Sequence, residues 1–260
     1  MDRVLRLLTI GSGIALLVLV AGYFWQWPWA VATWPWPDGP LSYTFIAGIQ
    51  AAIAAALIWI GVTGEWGAMA NGALNLVVMM AGLAVFFFVL ALPLYAIGCA
   101  VFALFNVGLF WWSHRLPLRD SRPTPPLVRW SFVVFTAVLL FVGSALILRV
   151  PIIFPWPLNP DSSVIFGLIF VGDAFYFLYA VLRPQWHYAA APLWSFLAYD
   201  LVLLARFIPH FGNVRPEHAL SLYLYTAVLI YSAALAIYYL FIHQETRPLL
   251  VKTLRVSENH

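Results

Sequence analysis

The chain has 260 residues, 64% of them hydrophobic and 9% charged, with a net charge of +3 and a mean hydropathy of +0.91. An ordinary soluble domain carries about 25% charged residues, so this chain cannot clothe a water-facing surface. Disorder, coiled coil and soluble enzyme folds are excluded, and a polytopic membrane protein remains. The thirteen cations are too few and too scattered for nucleic-acid binding. The lone Cys99 excludes an intrachain disulfide.

A spanning helix needs about 20 mostly apolar residues. In chain order such runs fall at roughly 5–24, 43–62, 68–90, 93–112, 130–150, 163–183, 189–211 and 217–242. They are continuously apolar rather than alternating, which predicts helices and not barrel strands. Arg3, Arg6 and Ala30-Val31-Ala32 imitate a secretory signal. The bulk of Trp25, Trp27 and Trp29 before that site argues for a retained helix. The third and fourth runs are parted only at Pro93, where one long kinked helix is the alternative.

Cations set the expected orientation. With the N-terminus inside, the inner side holds Arg3, Arg6, Arg115, Arg119, Arg122, Arg129, Arg183, Arg247, Lys252 and Arg255, and the outer side holds Arg149, Arg206 and Arg215. Ten against three places both termini in the cytoplasm of a bacterial inner membrane. The bacterial part rests on the preference for Arg over Lys. The 113–129 segment, with Pro123, Pro125 and Pro126, reads as a stiff cytoplasmic linker whose Arg residues meet anionic headgroups. A tail follows over 244–260.

The chain also repeats itself. Trp34-Pro35-Trp36-Pro37 aligns with Phe154-Pro155-Trp156-Pro157 at an offset of 120. Without a gap, Pro40 then meets Pro160, Ser42 meets Ser162, Ala54 meets Ala174 and Trp66 meets Trp186. The eight spans become two four-helix repeats, 1–112 and 130–243. An even number of spans per repeat gives both the same orientation. The Trp-Pro loops fall just outside the spans, so Trp34, Trp36 and Trp156 are expected at headgroup level, and the five Trp between 25 and 36 form an interfacial shelf, as an aromatic belt or an entry platform for lipid or quinone.

Phe154-Pro155-Trp156-Pro157-Leu158-Asn159-Pro160, opening a helix that ends near Trp186, resembles a loop motif of uncharacterised bacterial multi-pass membrane proteins. The resemblance covers the second half. It implies a membrane protein and no particular activity.

An ionisable residue inside a span is a functional-site hypothesis by default. Asp173 and Asp200 lie near the middle of the sixth and seventh spans, at similar depth, and their repeat partners are Ile53 and Met80. The expected arrangement is a facing pair. It suits proton coupling or cation binding, or else a hydrogen-bonded clamp with Tyr176, Tyr199 or Ser195. Arg206 is a further partner for Asp173. Arg206, His210, Glu217 and His218 form an expected outer polar cluster, with no metal assigned to it. Asn71 and Asn75 share a face of the third span and should bond to a neighbouring helix. Ala47, Gly48, Ala51, Ala52 and Ala55 give the second span a small face for close packing. His114, His187 and His243 fall near span ends as capping or snorkelling groups.

No nucleotide loop, HExxH, GxSxG or CxxC motif occurs, and no catalytic residue or cofactor is assigned. The leading reading is a non-enzymatic protein that binds or transports a small or amphipathic molecule, or couples protons, through the second repeat. A structural or accessory subunit of a larger membrane complex is the alternative, and a membrane enzyme the third. The partners expected are the bilayer itself and either another membrane protein or a second copy.

Overall fold

The computed structural model describes residues 2–117 and 119–246. Arg247, Lys252 and Arg255, counted in the cation bias, and most of the expected tail lie outside the described residues. Among the described residues eight helices are long and apolar enough to cross a membrane: Arg3–Phe24, Pro40–Thr63, Trp66–Val89, Pro93–Ser113, Pro126–Ile147, Pro160–Leu182, Trp186–His210 and Pro216–Ile242. They are called the first to eighth spans. Among the described residues no strand forms; a single isolated bridge joins Pro123 and Gln185.

Five of these spans open on a proline in the first turn: Pro40, Pro93, Pro126, Pro160 and Pro216. Proline fits there because its missing N–H would be unpaired anyway and its fixed φ is already helical. Hydropathy alone starts most of these helices a few residues later, since it reads proline as loop. The Asn159 side chain accepts from the Asp161 N–H at 3.0 Å and caps the sixth span.

The third and fourth spans are two helices rather than one. The third ends in a Schellman turn, with Ala91 N–H on Phe88 O and Leu92 N–H on Phe87 O. The first and fifth spans end alike, through Gln26 and Arg149. Ala91, Gln26 and Arg149 all hold positive φ, of 56°, 54° and 56°. Glycine usually takes that position, so three helices arriving at the Trp-Pro end carry the same uncommon terminus.

The spans pack as hairpins: first on second, third on fourth, fifth on sixth, seventh on eighth. Two crossings tie the hairpins together, second on seventh and third on sixth. Exchanging the halves, so that span one becomes span five and onward, returns the same list. Small residues sit where helices approach most closely. A Cβ on Gly48 would fall 2.9 Å from the Tyr199 ring, and one on Gly143 would fall 2.9 Å from Gly167 O.

At the Trp-Pro end the two loops grip each other. The Trp156 Nε1–H donates to Ser42 Oγ at 2.9 Å. Reciprocally, Ser162 Oγ donates to Asp38, which also accepts from Trp34 Nε1 at 2.7 Å and from the Asn159 N–H at 3.3 Å. Ser42 and Ser162 are the pair matched by the offset of 120, so each serine binds the other half's loop.

At the opposite end the linker is stapled down. Thr124 N–H donates to Pro184 O, and Trp186 N–H to Arg122 O. Arg119 Nη1 caps the second span through Thr63 O at 3.0 Å, and Arg122 pairs with Asp120. Two of the linker arginines expected at headgroups thus also have partners within the chain, and Arg119 stays exposed. Cation and helix C-terminus attract, which explains where Arg119 goes.

Candidate functional site

A cavity of about 150 Å³ lies between the halves, lined by the second to seventh spans. Part of its lining falls in pairs related by the offset of 120: Ile49 and Ile169, Ile53 and Asp173, Ala56 and Tyr176, Leu57 and Phe177, Asn75 and Ser195, Leu76 and Phe196, Met79 and Tyr199. The pairing centres the cavity on the relation between the halves. It also shows the division of chemistry. Where the first half places Ile53, Ala56 and Met79, the second places Asp173, Tyr176 and Tyr199.

Asp173 is deep in the bundle yet keeps accessible surface, because it fronts the cavity. The Asn75 Nδ2–H donates to its Oδ1 at 2.6 Å across the third–sixth crossing. A single directional bond to one oxygen orients the carboxyl. The remaining polar groups are mostly engaged. Tyr176 OH and Ser195 Oγ are 3.2 Å apart, and Ser195 Oγ donates to Ala52 O at 3.0 Å. Tyr199 OH bonds Tyr225 OH. Asn106, from the fourth span, donates back to Phe102 O at 2.8 Å.

Asp200 does not share this cavity. It is wholly buried, and its Oδ2 accepts from Ser232 Oγ at 2.7 Å on the eighth span. Asp173 and Asp200 do not bond each other: the first takes Asn75 and the second Ser232. The sixth and seventh spans follow one another in the chain, but they pack mainly against other helices, so the two acids turn to different neighbours. Arg206 is not a partner of either acid. Its Nη2 donates to Phe24 O at 2.8 Å and its guanidinium lies 4.5 Å from the Phe24 ring centroid.

The outer polar cluster also divides. Glu217 and His218 line a second cavity with Arg149, whereas Arg206 and His210 are not in its wall. Among the described residues no group of three His, Cys, Asp or Glu side chains could hold a metal ion. The aromatic loop is corrected too. Trp156 is 5% exposed, and Trp34 and Trp36 stack on the core rings Phe166 and Phe87. Of the five Trp between 25 and 36, the exposed ones are Trp25, Trp27 and Trp29, at 62%, 41% and 48%. Their indoles reach outward, while the Pro-Trp-Pro segments bend inward to make the interlock of the two loops.

His114 Nδ1 pairs with Tyr179 OH at 2.7 Å, and His187 Nδ1–H donates to Asp120 O at 3.0 Å. Both act as connectors near the linker end rather than as snorkelling groups, and His187 is buried. Asn75 as holder of Asp173, Ser232 as partner of Asp200 and Asp38 as the hub of the loops were not assigned from sequence. For Asp38 a signal existed: it is the one acid in the first Trp-Pro loop, placed just before the proline that opens the next span.

Fold and cavity together define a polytopic α-helical membrane protein with a chamber between its first four and last four spans. No known protein family, curated protein or solved structure shows a significant match to the chain.

Proposed function

We propose that the chain binds a small, mainly apolar molecule carrying one hydrogen-bond-donating or cationic group, in the cavity between the two halves. The observation that carries this reading is the single carboxyl, Asp173, held by Asn75 in a wall built mainly of aliphatic and aromatic side chains. Such a chamber favours an apolar body by burial and orients it through one polar contact. Asp173 accepts a donor or pairs with a cation, and it repels an anion. We further propose that the halves are parallel repeats and that the protein sits in a bacterial inner membrane with both termini cytoplasmic. The reciprocal packing and the distribution of Arg and Lys support these readings.

Titration of the full chain in phosphatidylcholine nanodiscs with octylamine, octanol and octanoate tests the binding. The amine and the alcohol should saturate, and octanoate should not. Asp173→Asn should weaken octylamine about tenfold while sparing octanol, since a neutral amide keeps the shape but loses the charge. Equal binding of all three probes, or preference for octanoate, overturns the proposal.

A further inference from the structure

A second cavity, of about 450 Å³, opens at the Trp-Pro end of the second half, between the 148–160 loop and the start of the eighth span. Its size falls within the ordinary range for ligand sites, about 300–1,000 Å³. Its wall contains a cation, Arg149, and an anion, Glu217, together with His218. Arg149 bridges to Asp161 at 3.1 Å, and among the described residues Glu217 forms no ion pair. The opposite charges on this wall are therefore not cancelled against each other. His218 Nδ1–H donates to Phe154 O at 2.8 Å, which leaves Nε2 with a free lone pair.

The loop forming the wall is fixed from outside. Ser221 Oγ donates to Ile152 O at 2.6 Å, and Ser163 Oγ to Leu146 O, in the last turn of the span before the loop, at 2.8 Å. Two of the loop's residues, Arg149 and Ile152, hold positive φ of 56° and 67°. For β-branched Ile152 that conformation is a clear outlier, kept only because the surroundings impose it. Leu148, Val150 and Ile152 are 76%, 43% and 50% exposed, an apolar rim at the end of a span. Positions 29 and 97, which match Arg149 and Glu217 in the first half, are Trp and Ile. The polar chamber belongs to one half alone.

We infer that this cavity binds the zwitterionic phosphoethanolamine headgroup of a membrane lipid. Arg149 faces the phosphate, Glu217 with His218 Nε2 accepts the ammonium, and the apolar rim meets the acyl chains. Guanidinium–phosphate and carboxylate–ammonium contacts are charge-assisted and specific in geometry.

The full chain in phosphatidylcholine nanodiscs should be titrated calorimetrically with dihexanoylphosphatidylethanolamine, dihexanoylphosphatidylglycerol and inorganic phosphate. The ethanolamine lipid should saturate and bind more tightly than the glycerol lipid or phosphate. Glu217→Gln should weaken the ethanolamine lipid about tenfold and leave the glycerol lipid unchanged. Arg149→Gln should weaken both lipids. If Arg149→Gln lowers helicity, Glu217→Gln alone decides, because Glu217 is exposed on the first turn of its helix. No saturable binding of the ethanolamine lipid, no effect of Glu217→Gln, or phosphate binding as tightly as the lipid would overturn the inference.

Discussion

Asp120 and Glu65 are carboxylates at the linker end with opposite balances. Burial opposes ionisation of Asp120, but hydrogen bonds from Arg122 and its charge outweigh that, so the Asp120 pKa falls below the usual carboxylate value. Glu65 is pushed up, first by desolvation, against a smaller contribution from Arg119. A depressed folded-state pKa means that the unfolded chain takes up the proton first. The Asp120 contribution is therefore full above the unfolded value of about 3.9 and is lost as pH falls through the lower folded value. Melting temperature should drop more steeply with acid below about pH 4 in the parent chain than in Asp120→Asn. The difference should stay under about 1 kcal/mol, because the pair is partly exposed. Similar slopes would show that Asp120 does not hold the linker. The sequence displayed each of these acids but not its partner. Asp173 and Asp200 are close in the chain and equal in depth, yet neither fact fixes which hydrogen-bond partner each takes, Asn75 for one and Ser232 for the other.

The seventh span shows how one element accommodates an interior proline. Pro192 has no N–H, so Tyr188 O loses its intrahelical donor. Asn71 Nδ2, from the third span, donates to that carbonyl at 2.9 Å, and a neighbouring helix thus repairs the break. Asn71→Ala should lower stability by about 1 kcal/mol, the scale of an interhelical bond in lipid. In a Pro192→Ala background the carbonyl regains its own donor, and the penalty should shrink. A double-mutant cycle on thermal unfolding measures this coupling, and strictly additive effects would refute the repair. The spans themselves were legible from hydropathy, since a 20-residue apolar run has few alternatives in lipid. The helix starts were not, because proline marks both loops and first turns. That Asn71 and Asn75 bond to a neighbour was readable from their spacing; which groups they meet was not.

Across the whole molecule, the halves are joined at three levels: the reciprocal loops, the two crossings, and the stapled linker. Asp38 concentrates the first of these, accepting from both its own loop and the other half. Asp38→Ala should cost about 1–3 kcal/mol, the penalty for leaving buried donors unpaired. Ser42→Ala plus Ser162→Ala should lose less, because each serine contributes one link between the halves. Melting curves of the two variants decide between them; a silent Asp38→Ala would mean that the loops merely touch. The offset of 120 matched Ser42 with Ser162 but did not name their partners, Trp156 and Asp38. It did not foresee that Trp156 is buried, because interfacial and core tryptophans have the same composition, and only the inward bend of the loop separates them.

The exchange relation between the crossings has a consequence for descent. A shorter four-helix chain with the same faces would present the second-span surface to the third-span surface of its twin, and the reverse. That is a self-complementary contact, the kind that closes a homodimer about a two-fold axis. In such a dimer every side chain at the chamber occurs twice, so an acid at position 53 or 173 would face its own copy across a dry space. Joining the subunits into one polypeptide removes that constraint. One position can become Asp while its counterpart stays Ile, and a chamber on a symmetry axis can acquire a polar side and an apolar side. The linker, on this view, is what frees the two walls to diverge.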